Sequence, residues 1–286
     1  MPSSTGMAES FRAFSFVDRI LSCEAGVRIR GLYGIPAGIE AFPAALVAEA
    51  VGQLAAWSAM AAVEFQRRPV AGIAGCIELL GDVRPGQTLE LAADLESADV
   101  EAAAYGGGAI VDGIPVLRLT HCVGPMVPME DFDDPAAVRT RFGVLRGEGV
   151  GPGGFGGLPP LPIERTGGEA GKVARASLRL PSSARIFADH FSRRPVFPGS
   201  LLMHANLELA AHLVSDITQA SIGRTWRPRA ISDMKLRAFI PPGEILELEA
   251  RLEESSDHAA ELLVETRRGK RLLGSARVRF VSEGPA

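Results

Sequence analysis

The stretch VRPGQTLELAADLE, from Val83 to Glu96, returns in altered form 157 residues later as IPPGEILELEARLE, from Ile240 to Glu253. Both stretches follow the pattern apolar-x-Pro-Gly-x-x-Leu-Glu-Leu-x-Ala-x-Leu-Glu. A second pair, PAALVAEAVGQLAAW from Pro43 and PGSLLMHANLELAAH from Pro198, lies 155 residues apart in the same order. Two segments that repeat at nearly the same offset indicate a duplicated domain. The chain is therefore predicted to contain two copies of one fold.

Each copy has the same predicted order of elements. An extended stretch, residues 26–34 or 172–180, precedes one long apolar helix, which runs from Ala44 to about Phe65 or from Gly199 to about Ile217. The first helix is apolar nearly all round, which predicts burial on most sides. The alternating strands that complete the copies are predicted at residues 88–96, 114–123, 245–254, 260–268 and 272–281. The pattern predicts an α+β fold in which two antiparallel sheets, each wrapped around a central helix, lie side by side.

The stretch between the copies has the composition of a linker. Residues 147–162, GEGVGPGGFGGLPPLP, are rich in glycine and proline. A phosphate-binding loop is disfavoured there, because no strand is predicted before it and no helix after it. The predicted division is an N-terminal domain over residues 1–130, a linker over 131–168 and a C-terminal domain over 169–286.

The bulk composition narrows the functional classes. The chain is 47% hydrophobic and 22% charged, as expected of a globular protein with substantial cores. A net charge of −4 with scattered arginines argues against a nucleic-acid-binding protein. Cys23, Cys76 and Cys122 have no metal-ligand spacing, which favours free thiols in a reducing compartment. No secretion signal or membrane-spanning run is evident, so a cytoplasmic location and no membrane partner are predicted.

The segment IFADHFSRRPVFPGSLL, residues 186–202, resembles the active-site signature of the (3R)-hydroxyacyl-acyl-carrier-protein dehydratases of the hotdog superfamily. In that family the loop His-Phe-Pro-Gly-x-Pro-Val-Met-Pro-Gly leads into the central helix. The departures from this pattern are Ser192 and Arg193, which replace the usual Pro-Gly. Residues 14–32 and 83–96 also resemble parts of these enzymes. The resemblance implies a double hotdog. The residues that match the signature are His190, Phe191, Pro195, Val196, Pro198 and Gly199.

Family members usually carry Glu-Ala-x-x-Gln, or an Asp equivalent, on the central helix. The first copy has Glu49 and Gln53 at these positions, but it has Ile35 where the second copy has His190. In family homodimers the histidine of one subunit faces the acid of its neighbour. The resemblance therefore implies one composite site, with His190 from the second copy and Glu49 from the first.

The mirror-related site is predicted to be degenerate. The second copy has His204 and Glu208 at the helix positions, and they would face Ile35. His204, Glu208 and His212 share one helix face at a spacing of four residues. A metal site there is disfavoured, and the side chains are expected to hydrogen-bond one another instead. No metal is predicted anywhere in the chain.

The composite site implies the dehydration of a 3-hydroxyacyl thioester. His190 would be the base that removes the C2 proton, and Glu49 the acid that protonates the departing hydroxyl. Gln53 would orient Glu49, and the N–H of Gly199, at the start of a helix, would stabilise the thioester oxygen. No cofactor is expected, since the substrate would be carried on phosphopantetheine. The residues expected to bind the substrate are Phe191, Val196 and Pro198.

The expected partner is an acyl carrier protein or coenzyme A, in fatty-acid or polyketide-type synthesis. Acyl carrier proteins are acidic, so Arg193, Arg194, Arg227 and Arg229 are candidates for docking, with an ordinary charged surface as the alternative. The two copies would form an intramolecular pseudo-dimer, and a further homo-oligomer is left open. Two other functions remain: a hotdog thioesterase that uses Glu49, and a non-catalytic acyl-carrier-binding subunit.

Overall fold

The computed structural model describes residues 13–151, 154–158, 160–218 and 225–283. Three α-helices and thirteen β-strands are found in these residues. The helices are α1 (Ala44–Ala62), α2 (Pro135–Arg146) and α3 (Gly199–Thr218). The strands are β1 (Arg19–Glu24), β2 (Arg28–Gly34), β3 (Arg67–Pro69), β4 (Ile73–Leu79), β5 (Thr88–Ala98), β6 (Ala102–Val111), β7 (Ile114–Pro128), β8 (Ile163–Glu169), β9 (Val173–Arg179), β10 (Thr225–Leu236), β11 (Ile245–Ser255), β12 (Ala259–Arg268) and β13 (Arg271–Glu283).

One antiparallel sheet runs through both halves in the order β1-β2-β5-β6-β7-β4-β10-β13-β12-β11-β9-β8, with β3 paired to β7. Read inward from its two ends, the sheet has the same order of strands in each half. The halves meet where β4 pairs with β10, with Ile77 opposite Ile231. This arrangement confirms the predicted α+β double hotdog, and it shows that the two sheets join edge to edge into one.

The two long helices lie against this sheet as its core. Helix α1 contacts β2, β5, β6 and α3, and α3 contacts β9 to β13. Helix α1 is long and apolar enough to cross a membrane, but it is packed inside the protein, and Leu46, Val51 and Leu54 are fully buried. It ends where Glu64 and Phe65 adopt positive φ angles of 53° and 60°, slightly before the predicted end.

The segment expected to be only a linker contains regular structure. Helix α2 is capped by the Asp134 side chain, which accepts a hydrogen bond of 2.9 Å from the N–H of Ala136. Strand β8 pairs with β9 and begins at Ile163, so the sheet of the second half starts before the expected boundary at residue 169. Strands β4 and β10, which join the halves, were also missing from the predicted elements.

Helix α1 approaches β6 so closely that one strand position excludes a side chain. A Cβ atom on Gly107 would lie 2.4 Å from the carbonyl oxygen of Ala92 and 2.8 Å from Cγ1 of Val51. Because strand backbone lies on one side of this position and the helix on the other, neither neighbour can easily move to make room for a methyl group. The glycine at this position therefore sets how closely the helix packs on the sheet.

Replacing Gly107 by alanine is expected to lower the free energy of unfolding by about 1–3 kcal/mol, because the added methyl overpacks this contact. Gly143→Ala is the control, since no atom lies within 4 Å of the Cβ it would carry on α2. That variant should gain up to about 1 kcal/mol from helix propensity. Urea unfolding measures both, and equal effects of the two changes would contradict the packing explanation.

Candidate active site

The loop before α3 is fixed at both of its ends. A 3₁₀ turn at Arg185–Ala188 leads to His190, whose N–H donates to the carbonyl of Ile186 at 3.2 Å. Phe191 follows with a φ of 65°, a left-handed conformation that is rare for a side chain of this size. At the other end, the N–H of Phe197 donates to the carbonyl of Ile240 at 2.7 Å. The loop is therefore held in a strained turn between α3 and the β10–β11 connection.

His190 has a defined tautomer. Its Nδ1 lies 2.8 Å from the carbonyl oxygen of Val196. Because a carbonyl only accepts hydrogen bonds, Nδ1 carries the proton, and Nε2 of the neutral ring carries a lone pair. Burial lowers the pKa of His190, while the nearby charge of Glu49 opposes this shift. The ring is thus kept neutral and able to accept a proton at Nε2.

Glu49 is held in place by Gln53, one turn further along α1. The Gln53 amide donates to Oε1 of Glu49 at 3.0 Å and to the carbonyl of Phe14 at 3.0 Å. Its oxygen accepts from the N–H of Phe16 at 2.8 Å. These three bonds orient the amide, so Gln53 presents a donor to the carboxyl of Glu49.

His190 and Glu49 both line one apolar cavity of about 240 Å³ between the halves. The seam strands β4 and β10 form part of its wall. Pro198 does not line it; its carbonyl accepts from the N–H of Leu202 at 3.1 Å and thereby starts α3. Pro198 thus lies outside the cavity lining, and its expected contact with substrate remains a prediction. The residues named from the sequence that do line the cavity are Glu49, Gln53, His190, Phe191, Val196 and Gly199.

The absence of a side chain at Gly199 also serves packing, which the sequence did not indicate. A Cβ atom there would lie 2.3 Å from Cδ1 of Leu236, a residue at the end of β10. The absence of a side chain was expected to allow a thioester to approach the helix N-terminus. In the structure it also allows α3 to pack against the strand that joins the halves.

Two contacts that the sequence did not predict hold the loop that carries His190. One is made by the side chain of Asp133 and the other by the carbonyl of Phe132. The buried Asp133 accepts hydrogen bonds from the N–H of Ser192 at 2.9 Å and from its hydroxyl at 3.0 Å. The other carboxylate oxygen of Asp133 binds Arg68, which follows α1 on β3. Arg193 donates from its N–H to the carbonyl of Phe132 at 2.8 Å. The departures at Ser192 and Arg193 are therefore used to anchor the loop.

Asp189 provides a second tie, to the segment before β1. Its carboxylate accepts from the N–H of Phe14 at 3.0 Å and from the Ser15 hydroxyl at 3.1 Å. Burial raises the pKa of Asp189, and these hydrogen bonds oppose the shift. Phe14 also lies edge-on to the His190 ring, with centroids 5.3 Å apart. Residues 14–16 thus connect the neighbour of His190 to Gln53.

Residues 167–272 match the family model of ApeI-like dehydratases. The 3-hydroxyacyl-[acyl-carrier-protein] dehydratase FabZ of Lactobacillus helveticus is 28% identical over 99 residues, which is 35% of this chain and 66% of that protein. The FabZ protein of Rickettsia bellii is 32% identical over 68 residues, or 24% of this chain and 47% of the relative. The chain thus spans about half to two thirds of these relatives.

Solved structures show the same fold over most of the chain. The tesB protein of Mycobacterium avium subsp. paratuberculosis is 11% identical and covers 92% of this chain and 96% of its own, with a TM-score of 0.54. The acyl-CoA thioesterase II TesB2 of Mycobacterium marinum is 11% identical and covers 98% of both chains, with a TM-score of 0.51. The chain thus has the fold of a tandem hotdog protein, and its second half is similar to the ApeI-like dehydratase model.

The arginines considered for docking in this tandem hotdog protein mostly have partners. Arg193 donates to the carbonyl of Glu130 at 3.0 Å. Arg194 lies 5.3 Å from the ring centroids of both Phe132 and Phe239. Arg227 and Arg229 both bind Glu283, and Arg227 also pairs with Asp82. Of these four, Arg194 is the one next to a residue of the cavity wall, Phe239.

The mirror-related positions of the tandem hotdog do not face the cavity. Ile35 is buried in the core, and Nε2 of His204 lies 3.3 Å from Oε1 of Glu208. Burial lowers the pKa of His204, and the charge of Glu208 opposes the shift. His212 is exposed. Within the described residues, no group of three His, Cys, Asp or Glu side chains has the geometry to hold a metal ion.

Replacing Asp133 by alanine is expected to lower the free energy of unfolding by about 3–5 kcal/mol, because Arg68 keeps its charge inside the protein without a counter-ion. The control is Asp131→Ala, a change at an exposed carboxylate two residues away, which should stay within about 0.5 kcal/mol. Denaturant unfolding gives both values. A loss of less than about 1 kcal/mol for Asp133→Ala would show that the tie contributes little.

Proposed function

We propose that the chain dehydrates 3-hydroxyacyl thioesters to trans-2-enoyl thioesters at one composite site. The observation that carries the proposal is the position of His190 and Glu49, which come from different halves and line one apolar cavity. Each is oriented by a neighbour that leaves a reactive atom unused: Nε2 of His190 and Oε2 of Glu49 are outside the bonds to Val196 and Gln53.

The reaction removes a proton from C2 and the hydroxyl from C3, which leave together as water. Nε2 of His190 takes the C2 proton, and the electrons of that bond form the C2–C3 double bond as the C3–O bond breaks. Glu49 gives its proton to the departing oxygen, which leaves as water. The first N–H groups of α3, including that of Gly199, have no partner within the helix and stabilise charge on the thioester oxygen. Return of the proton from His190 to Glu49 completes the cycle.

The dehydratase relatives support this choice, as does the composite arrangement. The FabZ relatives are named as dehydratases of 3-hydroxyacyl groups on acyl carrier protein. The acyl group would arrive on phosphopantetheine, carried by an acyl carrier protein or by coenzyme A, and the chemistry needs no further cofactor. Arg193 and Arg194 belong to the exposed rim expected to meet the carrier. Residues 1–130 would supply Glu49, and residues 169–286 would supply His190.

A thioesterase is the second candidate, favoured by Glu49 itself. A carboxylate held by Gln53 beside an apolar cavity is suited to activate water for attack on a thioester. The neutral His190 would then have no evident task, which places hydrolysis second. A non-catalytic carrier-binding subunit is favoured by the departures at Ser192, Arg193 and His204, and the first two have structural roles. Their hydrogen bonds to Asp133 and Phe132 give these two residues a role in holding His190, and so weaken that reading.

His190→Ala and Glu49→Ala should each lower kcat/KM for dehydration by about 100-fold or more, because each removes one proton-transfer group. The measurement is enoyl absorbance from a 3-hydroxyacyl carrier, with free thiol release recorded in parallel. His212→Ala is the control, at an exposed histidine on α3. Circular dichroism shows that each variant is folded. Thiol release without enoyl formation by the parent protein would replace dehydration by hydrolysis.

The pH profile of dehydration reports the state of His190. Because burial lowers its pKa below the ordinary value of 6.5, the base is neutral throughout the neutral range. We expect kcat/KM to hold near its maximum down to about pH 6.5 and to fall only at lower pH. His204→Gln, which removes a histidine outside the cavity, should leave the profile unchanged. An acid limb centred above 6.5 would contradict His190 as the base.

A further inference from the structure

Arg68 is a cation of the cavity wall that the proposed mechanism does not use. It lies on β3 and lines the same cavity as His190 and Glu49. Its Nη1 binds the carboxylate of Asp133, and its guanidinium carbon lies 4.1 Å from the ring centroid of Phe191. The side chain is therefore fixed from two directions, and both contacts lead to the loop that carries His190.

The guanidinium keeps unused hydrogen-bond donors. Its Nε is buried and, among the residues that the structure describes, has no hydrogen-bond partner. A buried donor without a partner is unusual in a native protein and calls for a ligand or an ordered water. A planar group with five N–H donors, one of them bound to Asp133, has the capacity to bind a further oxygen atom.

Arg68 and Glu49 stay apart although they share the cavity. Within the described ranges, Arg68 forms its ion pair with Asp133, and Glu49 is held by Gln53. Burial lowers the pKa of Arg68 to about 10, and the charge of Glu49 opposes this shift. A polar group of a substrate that lies between the two side chains is therefore open to contact from both.

We propose that the guanidinium of Arg68 binds the oxygen on C3 of the substrate, on the side of that oxygen opposite Glu49. The inference rests on the proposed dehydration, which requires such an oxygen near Glu49. As the C3–O bond breaks, negative charge grows on this oxygen. A fixed cation stabilises that charge while Glu49 supplies the proton, so Arg68 is a substrate-contacting residue.

The test compares the binding of two non-reacting ligands. Pantetheine amides of a 3-hydroxyacyl chain and of the saturated chain of equal length differ only at C3, and the amide makes the C2 proton far less acidic. Calorimetry should show Arg68→Gln binding the hydroxylated amide about 10- to 100-fold less tightly, with little change for the saturated one. Arg67→Gln is the matched control, since Arg67 binds the carbonyl of Met126 and does not line the cavity.

Arg68→Lys keeps the charge but loses the planar fork, so it should recover part of the preference for the hydroxylated ligand. It also serves if Arg68→Gln does not fold. Equal weakening for both amides would overturn the proposal and leave Arg68 as a tie between the halves. A thioether analogue without the carbonyl provides the last comparison. If the Arg68 effect follows the carbonyl instead of the hydroxyl, the proposal is also overturned.

The two proposals fail separately. Enoyl formation by the parent protein decides dehydration without reference to Arg68, and ligand binding decides the Arg68 contact without turnover. If the protein dehydrates its substrate but Arg68→Gln does not weaken binding of the hydroxylated ligand, the Arg68 inference alone is contradicted. If Arg68 is needed for binding of the hydroxylated ligand but no enoyl product forms, the proposed reaction is contradicted and the Arg68 contact is retained.

Discussion

The pairing of β4 with β10 is the interaction on which the rest of the site depends. It joins the two sheets into one and aligns Ile77 with Ile231 on the face that becomes the cavity wall. His190 and Glu49 belong to different halves, so neither half alone can bring them together. Slipping this seam by one residue would turn the inner side chains outward and remove the shared wall.

Around the seam, two contacts between the halves hold the reacting groups. Asp133 holds the histidine loop through Ser192, and Asp189 holds the segment at Phe14, which in turn fixes Gln53. A buried ion pair adds little net stability, but breaking one is costly, because one charge then stays buried alone. These ties therefore make the relative position of the halves specific more than they make the fold stable.

Much of the architecture could be predicted from the sequence, because the elements occur twice and each copy supports the assignment of the other. The two long helices and seven of the strands carry strong periodicity, and the sequence places them within five residues of their observed ends. Gly75 interrupts the alternating pattern of β4 and Pro228 that of β10, so the sequence does not reveal these two strands. Pairing between distant segments supplies the stability that the local sequence does not display.

Only part of the site could be predicted from the sequence. His190, Glu49 and Gln53 stand in a recognisable pattern, whereas Arg68 and Asp133 are an arginine after a helix and one aspartate in an acidic run. Nothing in their spacing predicts a buried ion pair, since it depends on the packing of two distant segments.

The sequence by itself determined the duplication, the apolar helices, the alternating strands and the residues available for proton transfer, because periodicity and side-chain chemistry are local properties. Only the tertiary structure decided which of those residues share a cavity, which side chain packs over Gly199, and where a largely buried cation lies beside a carboxyl. These outcomes arise from close packing and charge burial between different elements of the fold, and no local pattern encodes them.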